Sequence, residues 1–196
     1  QALHNKTVCG VMAIYTGPAG KADTVVAPLR KFGPPVVDFF GSLPFPAVQS
    51  MFDALVPKGL QNYWKADFVD ELSDEVIEAH VKHGPGIPTF NSAMHIYPVS
   101  GAASRVKMGD TAFFYRDAKY GHVIAAMYPN PADTAKNVAW VRDYWSELHP
   151  YSSGGAYVNF LMDEGEDRIR ATYGANYDRL VAVKTKYDPT NLFRLN

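Results

Sequence analysis

A chain of 196 residues with 47% hydrophobic side chains can bury roughly 70% of its extended surface, enough for a core of its own. Charged residues make up 20% and the formal net charge is −1, so nothing draws the chain electrostatically to nucleic acid or to an anionic membrane surface. The single cysteine, Cys9, excludes an internal disulfide or a multi-cysteine metal site, and no stretch reaches the roughly 18 apolar residues of a membrane helix. Gln1 to Gly10 lacks a signal-peptide pattern, and the compartment is left open.

Thr7 to Thr16 is an almost unbroken apolar run of strand length, which predicts a buried strand with Cys9 in the core. A chain opening so close to a strand is expected to continue a longer sequence upstream. Ala22, Val25, Val26, Leu29 and Phe32 recur at helical spacing up to Gly33-Pro34-Pro35, predicting a helix packed on that strand. Val48, Met51, Phe52 and Leu55 mark a second helix, with Pro46 at its start. Residues 62–69 alternate as a strand, with Tyr63, Lys65 and Asp67 on one face and Trp64, Ala66 and Phe68 on the other.

Ser73 is a helix N-cap before Val76, Ile77 and Val81, and the Gly84-Pro85-Gly86 cluster ends that helix. Residues 93–99 and 121–128 read as strands, and Asn130-Pro131 opens a long helix through Trp140, Val141, Tyr144 and Leu148. Residues 156–161 read as a strand, and 166–186 as one or two helices broken near Gly174. With no repeat and no flexible linker, the pattern predicts an α+β fold: an antiparallel sheet with helices on one face. The other face must then be polar, covered by something else, or a binding surface.

Several motifs fail. Gly20-Lys21 lacks the earlier glycine and the following hydroxyl of a phosphate loop. The six histidines form no zinc-hydrolase pattern, so no metal site is expected, and no GxGxxG follows a strand.

Two blocks are more specific. The final one reads Gly155-Ala156-Tyr157-Val158-Asn159-Phe160, then Tyr173-Gly174-Ala175-Asn176-Tyr177, Lys184 and Tyr187-Asp188-Pro189-Thr190-Asn191-Leu192-Phe193; the other is Asp110 to Ala118. In order and spacing they resemble the berberine-bridge-enzyme-like branch of FAD-linked oxidases. The resemblance implies the fragment of a two-domain flavoprotein, with a substrate-binding α+β domain over 1–150 and a C-terminal segment over 151–196 that returns towards an absent N-terminal FAD domain. It implies FAD held mainly by that absent domain, a small-molecule substrate, and little activity of this portion alone. Tyr157 and Asn159 match family positions that approach the flavin. Where plant members have a second tyrosine able to act as base, this chain has Phe160, which cannot accept a proton. Alignment through Arg116 places His122 where some members carry a catalytic glutamate, so His122 is the expected base. Phe160, Tyr63, Tyr120 and Tyr128 are the expected pocket wall. Residue chemistry alone also allows a non-catalytic α+β module that binds a small ligand or a protein.

Overall fold

The computed structural model describes residues 6–33 and 35–194, so Pro34 of the expected helix stop lies outside the described residues. The chain divides into two compact units, Gln1–Pro57 and Lys58–Asn196.

In the first unit the strand expected over 7–16 is absent: these residues have no regular secondary structure and are exposed, Cys9 included. A strand exists only through hydrogen bonds to a neighbour, and no described strand pairs with this segment. Helix α1, Ala22–Lys31, forms where the apolar spacing places it, but Val26 is its one buried residue, so it is not packed on a strand. Arg30 holds its end by pairing with Asp38 at 2.7 Å and Asp23 at 3.1 Å. The second helix is shorter than expected: α2 covers Phe45–Gln49, and a separate 3-10 turn covers Asp53–Leu55.

The second unit holds strand β1 (Gln61–Val69), helix α3 (Asp74–His83), strand β2 (Ala93–Pro98), helix α4 (Ala102–Arg105), strand β3 (Tyr120–Tyr128), helix α5 (Thr134–Leu148), and helices α6 (Glu166–Tyr173) and α7 (Tyr177–Tyr187). The expected N-cap is present, since the Ser73 hydroxyl accepts from the Val76 amide at 3.4 Å. The strands form an antiparallel sheet in the order β1-β3-β2. Registers of Lys65 with Ile124 and Asp67 with His122 put these four residues on one face. That face receives α3 and α5, whose Val76, Ala79, Val141, Tyr144 and Leu148 form the main core with Ile124, Ala126 and Tyr128. Val141, Tyr144 and Leu148 recur at three- and four-residue steps, the geometry of one helix stripe. Each such side chain contributes about 1.5–3 kcal/mol on burial. Helices on one face of an antiparallel sheet is the α+β arrangement the pattern predicted.

The opposite face carries Trp64, Ala66, Val123 and Ala125, covered in part by Ala156, Phe160 and Leu161. Residues 156–161 are not a strand; Val158–Phe160 is a 3-10 turn. The reason lies at β1, which is an edge of the sheet. Phe68 takes its outer hydrogen bonds from residues just upstream: its amide donates to the Gly155 carbonyl at 2.8 Å and its carbonyl accepts from the Ser153 amide at 2.7 Å. Beyond Gly155 the chain leaves that edge and turns across the sheet face. The break between α6 and α7 is at Gly174 as expected; its φ is +51° and a Cβ there would stand 2.5 Å from the Phe114 ring.

Candidate functional site

The site is built on the sheet face opposite α3 and α5. Ala156 packs against Ala66, Val123 and Ala125 and anchors the segment, while the adjoining Tyr157 is 39% exposed. The Asn159 amide donates to the Tyr157 hydroxyl at 3.0 Å. The turn, rather than a shared strand face, thus brings these two expected residues together. Their contact leaves the phenol proton and the Asn159 carbonyl oxygen available, a donor and an acceptor beside an aromatic surface.

That surface is continuous. Phe160 meets Tyr157 edge-on at 5.3 Å and stacks on Tyr97 at 5.7 Å. On the other side Tyr157 meets Phe113 at 6.1 Å, and Phe113 meets Phe68, which stacks on Tyr115. The Tyr115 hydroxyl donates to the Ala171 carbonyl at 2.9 Å, tying this wall to α6. Phe160 is half-buried and packs within this aromatic row.

The remaining expected residues stand elsewhere. His122 is 2% exposed beneath α3 and α5, on the face opposite Tyr157. Its ring lies 4.8 Å from that of His80, and neither of its nitrogens has a hydrogen-bond partner. Burial first, then the neighbouring His80, pulls its pKa down to about 4. Tyr128 is 3% exposed in the helix-side core and bonds Thr134. Tyr63 packs on that same core and accepts from Arg142 at 3.1 Å. Tyr120 opens β3 two residues before His122 and shares its strand parity. The structure therefore brings Tyr157, Asn159 and Phe160 together, and does not bring His122, Tyr63 or Tyr128 to them.

Along β1, on the α5 side of the sheet, lies an ionic network that sequence reasoning did not find. Asp67 is paired with Arg168 and with His149 at 3.0 Å, at 3% side-chain exposure. Arg168 also donates to the Ala66 carbonyl at 2.5 Å and the Gly154 carbonyl at 2.8 Å. Lys65 pairs with Glu164 at 2.6 Å and lies over the Trp145 ring. Burial raises the Asp67 pKa more than Arg168 and His149 beside it lower it. No local motif could reveal pairs about a hundred residues apart.

Sequence reasoning also missed His95 and Tyr97. Alternation along β2 was a usable signal, since it places both on one face. In the described residues no group of three His, Cys, Asp or Glu side chains is arranged to hold a metal ion, and no helix is long and apolar enough to cross a membrane.

Residues 156–196 match the family described as berberine and berberine like. An FAD-linked oxidoreductase of Dictyostelium discoideum is 30% identical over 192 residues, spanning 95% of this chain and 41% of that protein. A chitooligosaccharide oxidase of Gibberella zeae is 35% identical over 99 residues, 47% of this chain and 20% of its own length. Among solved structures, Physcomitrella patens BBE-like 1 superimposes with a TM-score of 0.59 and 26% identity, over 67% of this chain and 29% of that one. The relatives that the chain resembles along most of its length are FAD-linked oxidoreductases. The chain is thus similar to berberine-bridge-enzyme-like proteins, most specifically over residues 156–196, and it spans about two fifths of the length of the Dictyostelium relative.

Proposed function

We propose that this chain is the substrate-side portion of a longer FAD-dependent oxidoreductase that oxidises an alcohol, sugar or other small organic molecule. One observation carries the reading: Tyr157 and Asn159, which match flavin-approaching positions of the family, lie together at the exposed edge of an aromatic face opposite α3 and α5. A flat isoalloxazine ring bears both hydrogen-bond donors and acceptors, and the available phenol proton and amide oxygen match it. Bound there, the flavin would supply a hydride acceptor. Tyr157 and Asn159 would orient the ring, Phe160 and Tyr97 would exclude water from one side of the substrate, and Phe113 would back Tyr157. The Gibberella relative, named for oxidising chitooligosaccharides, favours a hydroxyl-bearing substrate.

The flavin's phosphate and adenine contacts fall, on this reading, to the part of the longer protein outside these residues. The purified 196-residue chain is therefore expected to be colourless and inactive. Retention of stoichiometric flavin absorbance through gel filtration would contradict this. In the longer flavoprotein, Asn159→Leu together with Tyr157→Phe is expected to weaken flavin retention about tenfold, the scale of one or two hydrogen bonds. Unchanged retention, measured by dialysis against apoprotein, would remove both residues from the cofactor site.

A further inference from the structure

We infer that Tyr97 and His95 form a proton-accepting pair for substrate oxidation, Tyr97 taking the hydroxyl proton of the substrate while its own passes to His95. The inference rests on the oxidoreductase reading above. Both residues belong to β2, where their registers with Gly121 and Val123 put them on the face opposite α3 and α5. Gly121, opposite Tyr97, adds no side chain to that face. The Tyr97 hydroxyl and the His95 Nδ1 are 2.7 Å apart, and the rings meet edge-on at 5.6 Å. One ring, Phe160, separates Tyr97 from Tyr157, so a substrate laid against Phe160 reaches both hydroxyls.

The resting protonation states leave an acceptor for the proton. Loss of hydration raises the Tyr97 pKa and lowers that of His95, so both rest neutral. With the phenol as donor, Nδ1 is the unprotonated acceptor and the imidazole proton sits on Nε2, the tautomer that the pair requires. At 43% exposure the phenol is open to a ligand. Phe160 offers no base of its own.

The step balances for an alcohol. The substrate O–H proton goes to the Tyr97 oxygen, and the Tyr97 proton goes to His95 Nδ1, forming an imidazolium. The C–H bond breaks with its electron pair going to the flavin, and the carbinol becomes a carbonyl. The substrate is oxidised by two electrons and the flavin reduced by two. Tyr97 is the catalytic residue; His95 is a positioning residue that acts through it.

Two measurements test the pair. Long-range proton–nitrogen NMR on this chain, with His95→Gln to assign the signals, is expected to show His95 as the Nε2–H tautomer. Its Nδ1 resonance should move in Tyr97→Phe. An Nδ1–H tautomer, or no response to Tyr97→Phe, overturns the proposal without touching the flavin reading. In the longer flavoprotein, anaerobic stopped-flow reduction by a sugar alcohol is expected to slow about 10²-fold or more in Tyr97→Phe, with substrate affinity little changed. That variant keeps the ring stacked on Phe160. His95→Gln should lose less, because its amide still accepts the phenol hydrogen bond but takes no proton. A wild type reduced normally beside an equally fast Tyr97→Phe sinks the pair alone. A wild type holding flavin that no alcohol or sugar reduces sinks both readings.

Discussion

Arg168→Met is expected to lower the stability of the chain by about 3–5 kcal/mol, the cost of leaving a buried carboxylate without its partner. Asp67 sits at 3% side-chain exposure in the middle of β1, and Arg168 is the cation that both pairs with it and satisfies the Ala66 and Gly154 carbonyls. At about 2–4 °C per kcal/mol for a chain of this size, Tm should fall by roughly 10 °C. Asp67→Asn in the Arg168→Met background should restore part of the loss, since it removes a buried charge left with His149 alone. Thermal unfolding followed by circular dichroism measures both. A drop of only a degree or two in Arg168→Met would show that Asp67 is protonated or hydrated, and that the network contributes little.

His122→Leu is expected to stabilise the protein and to flatten its response to acid. Two unpartnered ring nitrogens cost about 1–3 kcal/mol in a crevice lined by Asp67, Ile124, Trp145 and Leu148 and too narrow to admit a water molecule. The pH effect adds to this. The folded pKa, about 4, lies below the ordinary histidine value of 6.5. The unfolded chain therefore binds a proton that the folded chain refuses as pH falls from 6.5 towards 4. Stability is lost across that window, by about 3 kcal/mol in total for this residue. His80, whose pKa burial also lowers to about 4, should add a further loss over the same range. His122→Leu should thus raise Tm at pH 7 and lose several degrees less than the wild type on acidification. A variant less stable at pH 7, with an unchanged acid response, would show that the ring has a partner in solution.

The helices and strands of the second unit were legible because their signals are local. Ser73 caps α3, Val141, Tyr144 and Leu148 make the stripe of α5, and the alternation of β1 needs no distant information. The order Tyr157, Asn159, Phe160 and the Tyr187-Asp188-Pro189 tail carried the family by themselves, because many positions agree in spacing. Segments 7–16 and 156–161 misled for one reason. Apolar runs of strand length say nothing about whether a neighbouring edge is free to pair. The first has no described partner, and the second follows residues that already hold the β1 edge.

By itself the sequence determined which residues are apolar at which period, and hence an antiparallel sheet with a helix layer and a C-terminal segment of recognisable family. Only the tertiary structure decided which sheet face each strand residue occupies. Alternation fixes that Asp67 and His122 can share a face; helix packing alone selects the face that is covered. That selection buried His122 under α3 and α5, and left His95 and Tyr97 open beside Phe160.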